Sequence, residues 1–310
     1  MSAGWVAGTV RAKALLVGAI GAAAADRLAA RPTLEAALAD LAGTAYQRFL
    51  PEDADSAQAE RAVEDAAVWN LRVLAGWLPR AGTRVLRVVA ADFEIRNVAD
   101  KLRALAGEPS ADPYRLGALA TAWNRASAAA SFTELRSVLS VSPWGRSEAD
   151  TPADLVADLR VSAATRLAAL HTAARPWGLA AAALTVARQR FLLGRPLAPA
   201  MRARVGHLLG AAVVGAEDWN GYTALLPKQT AGWALEGIDG PARLWVAEER
   251  WWARVERDAR ELGHASGFGM EVALGCAVLL VADARAVRGA LAAAARGGSG
   301  QAGADRDAGA

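Results

Sequence analysis

VLRVVAADFEIRNVADKLRAL, residues 85–105, decides how the chain is read. Ile95, Val98, Leu102 and Leu105 recur at alternating steps of three and four, the spacing of one helix face. Gly107 and Pro109 stop the pattern. The spacing predicts one helix over 85–105, and the same periodicity extends in both directions.

Nearly everything from Val6 to Ala295 falls into helices with short breaks between them. Thr33 opens a helix at Leu34, with Leu38 and Leu41 on one face. A second covers Ala59–Leu78 and stops at Pro79 and Gly82. Ser131 and Glu134 have capping-box spacing. Residues 146–154 read as a polar linker, and Gly194, Pro196 and Pro199 break the chain again. A long helix is expected over Ala242–Leu262 and a last one over Met270–Ala295. The tail from Gly297 is Gly, Ala and Asp, a composition expected to be disordered.

Composition agrees. Of 310 residues, 79 are Ala and only three are Ile. Ala loses no side-chain entropy in a helix, whereas β-branched residues are strand material, so a mostly-β fold is excluded. At 54% apolar, the chain can bury a sizeable core. The fold class is therefore all-α.

Thirty-five basic residues face 32 acidic ones, and all but Lys13, Lys101 and Lys228 of the basic set are Arg. They are spread along the chain, without the basic stripe or docking motif of a nucleic-acid binder, so no nucleic-acid partner is expected. One cysteine, Cys276, excludes an internal disulfide framework.

Arg11 and Lys13 precede an apolar run, Ala14–Ala25, that imitates a signal peptide. The basic residues come late for one, Trp5, Val6 and Val10 already make an apolar face, and Gly18 and Gly21 interrupt the run. Val272–Ala282 is too short for a bilayer, which needs about 20 residues. A soluble protein without a transmembrane span is expected.

Internal similarity carries the organisation. LEAALADLAGTAY (34–46) superimposes on FTELRSVLSVSPW (132–144), pairing Leu41 with Leu139, Thr44 with Ser142 and Tyr46 with Trp144. EIRNVADKLRAL (94–105) resembles DARAVRGALAAA (283–294), pairing Glu94 with Asp283, Arg96 with Arg285 and Val98 with Val287. LTVARQRFLLG (184–194) echoes 97–107 at Arg103/Arg190 and Gly107/Gly194. A helical unit used about three times is expected, with bundles at 1–108, 109–195 and 196–296 and a tail at 297–310.

These residues also carry a resemblance. Trp5, Arg11, Lys13, Leu15 and Leu16 resemble the opening of the C-type central-stalk subunits of prokaryotic V/A-type rotary ATPases, the counterparts of the d-type subunits of the eukaryotic vacuolar enzyme. Leu34, Glu35, Leu38, Leu41, Thr44 and Tyr46 resemble the family's Leu-Glu helix and Thr-x-Tyr ending. Asp92-Phe93-Glu94-Ile95-Arg96-Asn97, followed by Lys101 and Arg103, resembles its most recognisable helix. Glu271, Val272, Leu274, Asp283, Arg285 and Arg288 resemble its last one. The likeness spans about Trp5 to Ala295. It departs at Asp283 and Ala286, where the family usually has Glu and Asn, and in the middle repeat, which lacks the Asp-aromatic pair. It implies three bundles arranged as a funnel or ring on the cytoplasmic face of a membrane. It also implies a peripheral protein on the proteolipid ring that takes the end of the rotor shaft, made of the D-type and F-type subunits, and transmits torque without chemistry.

Enzyme parts are scarce. Glu261 and His264 have a di-metal spacing without a second pair. The G-x-G-x-x-G at 298–303 lacks a strand before it. Cys276 sits in an apolar helix without a basic neighbour. No catalytic, cofactor or metal residue is expected. The acidic groups Glu52, Asp53 and Asp55, and Glu64 with Asp65, read as surface charge.

Two clusters are candidate contact residues. The first is Asp92, Glu94, Arg96, Lys101 and Arg103, with Asn97 in the same helix and Arg285 as the counterpart of Arg96. It reads as helix-to-helix pairing, as a partner contact or as a solvent face. The second is Trp245 and Trp251, with Trp252: fillers between Ala-rich helices, or an exposed anchor for a partner. The chain segments Pro79–Arg84, Pro143–Pro152 and Gly215–Lys228 are candidate shaft contacts if a funnel forms. An all-α enzyme or carrier around an apolar pocket, or a helical adaptor unrelated to ATPases, are the alternatives.

Overall fold

The computed structural model describes the backbone of residues 3–307 and the side chains of residues 3–297. It is 71% helical and contains no strand among the described residues. Helices α1 (Ala3–Val17) and α2 (Ala22–Ala29) are separated at Gly21, whose φ of 77° favours glycine. Ala3–Ala29 is the one stretch of the described residues long and apolar enough by composition to cross a membrane. The break at Gly21 divides it, and Ala12, Ala25 and Leu28 are buried.

Side-chain caps place the next starts. Thr33 accepts from Ala36 N at 3.2 Å to begin α3 (Leu34–Asp40). Asp55 and Gln58 form a reciprocal capping box at the head of α4 (Ser56–Trp77).

The helix expected over 85–105 is in fact two, α5 (Arg80–Val89) and α6 (Ala91–Leu105). At Ala90 φ is −82° and ψ 2°, and Phe93 N bonds back three residues to Ala90 O. The β-branched pair Val88-Val89 weakens helix preference just before this bend. Gly107, at φ 78°, ends α6, with Glu108 N reaching back to Arg103 O at 2.9 Å.

Then come α7 (Trp123–Ala126), α8 (Phe132–Ser140) capped by Ser131, and α9 (Pro152–Ala168) capped by Thr151 with Pro152 in its first turn. Helix α10 (Arg175–Ala187) runs into a π-helical turn at Arg188–Leu192. Helices α11 (Pro199–Leu209), α12 (Ala211–Gly215), α13 (Trp219–Leu225), α14 (Leu244–His264) and α15 (Met270–Asp307) complete the order. Helix α15 continues past Gly297, where the tail is expected to begin. The side chains of 298–310 and the backbone of 308–310 lie outside the described residues.

The chain divides into two compact units, 1–83 with 259–310, and 84–258. The expected boundaries after 108 and 195 both fall inside the second. In the first unit, α15 packs against α1, α2, α3 and α4. Its Val272, Cys276, Val287 and Leu291 and Val63, Leu71 and Leu74 of α4 are all buried. Each such side chain contributes about 1.5–3 kcal/mol, offset by the entropy of ordering. Gly275 lets α15 approach the end of α14: a Cβ there would stand 2.4 Å from Gly263 N.

The second unit has two cores. One joins α6, α8 and α9 through Ile95, Val98, Leu135, Leu139, Trp144 and Leu155. The other joins α9 and α10 to α11, α13 and the start of α14. At Gly178 a Cβ would meet Ala164 O and Ala168 N, both at 2.4 Å, so the α9–α10 crossing accepts no side chain there.

Candidate functional site

The α6 cluster splits by face. Glu94 is 1% exposed and Asn97 fully buried. Asn97 clamps one residue of the following loop, donating to Tyr114 O at 3.0 Å and accepting from Tyr114 N at 2.7 Å. Asp92, Arg96 and Arg103 remain at the surface. Arg96 pairs with Asp92 at 2.8 Å, four residues away on the same helix, and Arg103 pairs with Asp100. The exposed Arg96–Asp92 pair contributes under about 1 kcal/mol, while Asp100 itself is buried. Glu94 and Asn97 therefore hold the fold together and offer no surface to a partner.

Glu94 is the centre of a latch. Its Oε1 accepts from Ala122 N at 2.6 Å, Trp123 N at 2.9 Å and the Trp144 indole at 3.0 Å. Its Oε2 accepts from Thr121 N at 2.6 Å. The N–H groups at the head of α7 have no partner within their own helix, so a carboxylate there supplies both hydrogen bonds and charge. Arg166 of α9 lies 4.9 Å over the Trp144 ring and donates to Thr121 Oγ1 at 3.2 Å. Burial lowers the Arg166 pKa, which Glu94 partly restores.

Asp283 of α15 does the same in the first unit. It accepts from Ile20 N at 3.2 Å, Gly21 N at 2.7 Å and the Tyr46 phenol at 2.7 Å. The lead-in to each aromatic is also shared. Thr44 Oγ1 donates to Leu41 O at 2.7 Å and accepts from Tyr46 N at 3.3 Å. Ser142 Oγ donates to Leu139 O at 2.6 Å and accepts from Trp144 N at 3.2 Å. Two separate sequence echoes thus converge on one local structure, built once in each unit.

The third echo matches in part. Gly194, like Gly107, ends its helix with positive φ, here 63°. Arg190, however, donates to Val214 O and Ala216 O of the chain before α13, whereas Arg103 pairs with a carboxylate. One further correspondence is invisible to contiguous similarity. Arg254 lies 4.5 Å over the Trp233 ring, as Arg166 lies over Trp144. No carboxylate meets this indole: among the described residues, Trp233 Nε1 is buried without a hydrogen-bond partner. Each Trp is some twenty residues from its Arg, so no short stretch of sequence carries the pair.

The tryptophans of α14 also divide. Trp245 is 65% exposed. Trp251 packs on the second-unit core, donates to Trp177 O at 2.9 Å and meets Trp252 edge-on at 4.9 Å. Arg285 is half-buried in α15. Of the candidate shaft segments, Pro79–Arg84 is largely the first turns of α5, and Gly215–Lys228 contains α13; Pro143–Pro152 is loop up to the start of α9.

No group of three His, Cys, Asp or Glu side chains is placed to hold a metal among the described residues. His264 Nδ1 lies 2.7 Å from Arg260 O, a contact within its own helix end. Cys276 is buried, and burial raises its pKa to about 11.

No family model matches the chain, and no curated protein matches it.

Proposed function

We propose that the chain is a non-catalytic central-stalk component of a V/A-type proton-translocating rotary ATPase, coupling the rotor shaft, built of the D-type and F-type subunits, to the membrane proteolipid ring. It would lie peripherally on the cytoplasmic face, held there through the complex. One observation carries this: several residues of the central-stalk resemblance are buried and tie helices together inside each unit. Thr44 and Tyr46 of the Thr-x-Tyr ending, and Glu94 and Asn97 of the family's most recognisable helix, are internal fastenings. A protein that bears torque has to resist shear between its helices. A buried carboxylate tying three or more donors from two other segments supplies that resistance, because displacing it strands each donor.

The direct test is a gentle detergent extraction of the tagged chain from its own membranes, with mass spectrometry of what accompanies it. Stoichiometric A/B, D/F and proteolipid subunits are expected. Recovery of the chain alone as a soluble monomer would sink the proposal. In cells lacking the chain, ATP hydrolysis should continue without proton movement, and pumping at normal yield counts against it. Trp245→Ala, which removes the most exposed anchor of α14, should lower shaft recovery without lowering the chain's own yield.

A further inference from the structure

A cavity of about 730 Å³ opens in the first unit between α1, the turn after α3 and α4. Its lining includes Arg11, Thr44, Gln47, Arg48, Trp69 and Asn70, and no acidic residue. Neither arginine has an ion-pair partner among the described residues. Arg11 Nε is buried without any hydrogen-bond partner there, an uncompensated donor on a cation. Trp69 is 41% exposed at the same opening, with the Arg48 guanidinium 5.5 Å from its ring centre and Arg72 at 5.8 Å. Stacking uses the faces of a guanidinium and leaves its N–H edge for an acceptor.

We infer that this cavity is a binding site for a phosphate-bearing organic anion, with Arg11 and Arg48 gripping the phosphate and Trp69 receiving the group that carries it. Two guanidinium forks beside neutral amide donors suit a dianion rich in acceptors, whereas one carboxylate would occupy a single fork. The volume exceeds what a bare phosphate needs, and the half-exposed indole is an apolar floor for the remainder. The site is independent of the rotary-ATPase proposal, since its binding can be measured on the isolated full-length chain.

The experiment is calorimetric titration of the full-length chain with phenyl phosphate, with phenol and inorganic phosphate as its two halves. In parallel, the chain is sedimented with phosphatidylcholine vesicles with and without phosphatidic acid. One-to-one binding of phenyl phosphate, tighter than either half, is expected. Arg48→Gln and Asn70→Asp should each weaken it about tenfold or more. Arg202→Gln, at an exposed position of the second unit, should leave it unchanged. Asn70→Asp removes no packing atoms, so it stands if the arginine variant fails to fold. Retention on phosphatidic acid vesicles that phenyl phosphate competes away assigns the phosphate to a lipid headgroup. Binding of phenyl phosphate without vesicle retention assigns it to a soluble ester. Absence of both at millimolar ligand, or binding that both variants leave intact, overturns the site.

Discussion

The Tyr46 phenol donates to Asp283 at 2.7 Å, joining residues 237 positions apart. The first unit is thereby closed by the last helix: α1 to α4 present a common apolar face that α15 covers. Arg288 of α15 adds a second tie, pairing with Glu64 of α4, which is buried rather than part of the surface charge expected of it. A chain ending at Gly269 should therefore leave residues 1–83 without their core. Limited proteolysis is expected to cut this truncated protein throughout the first unit, whereas the full chain resists there.

Trp144 and Trp233 make a matched pair for measuring the latch. Each lies under an arginine, but only Trp144 has a carboxylate partner. Trp144→Phe should cost about 1.5–3 kcal/mol more than Trp233→Phe in urea denaturation, the worth of a hydrogen bond to a charged group. Equal losses would mean that Glu94 gains nothing from the indole.

Gly178→Ala puts a methyl group 2.4 Å from two backbone atoms of α9. Helix propensity alone would favour alanine by about 1 kcal/mol. Overpacking against backbone that has nowhere to retreat should outweigh it and destabilise the chain by about 1–3 kcal/mol. Gly76→Ala has open space around its Cβ and should be neutral or stabilising.

Alkaline pH should lower the protein's stability through three buried groups that hold their protons. Burial raises the Cys276 pKa from 9.0 to about 11 and, with Asp283 assisting, raises that of Tyr46; burial also raises that of Tyr222. Above pH 9 the unfolded chain loses these protons first, so it binds fewer protons than the native state and stability falls as pH rises. Below pH 9 the contribution is fully present. Each group adds a slope of about 1.4 kcal/mol per pH unit once its unfolded form titrates. Thermal midpoints from pH 8 to 11 should fall, and Cys276→Ala should remove the earliest part of the decline.

Much of this was legible from local chemistry. Thr33 and Ser131 announce helix starts because a short polar side chain reaches a backbone N–H only three residues on, whereas Asp55, expected as surface charge, caps α4, which begins three residues before the expected start at Ala59. The pairing of Tyr46 with Trp144 and of Glu94 with Asp283 was visible as similarity. That these residues meet was not. Glu94 stands four positions before Val98, on the buried face of α6, and a carboxylate at an apolar position was the signal that it is an internal acceptor. The orphaned Arg11 and the cavity beside it left no trace, since α1, the turn after α3 and α4 are separate in sequence.

By itself the amino-acid sequence determined an all-helical chain, where several of its helices begin, and which segments resemble each other. Those properties depend on propensity, capping and periodicity, which act over three or four residues. Only the tertiary structure decided that Asp283 serves Tyr46 while Glu94 serves Trp144, that α15 completes the unit begun by α1, and that Trp233 goes without a carboxylate. A buried donor needs an acceptor within about 3 Å, and which distant helix provides one is set by how the apolar faces pack, not by the neighbours in the chain.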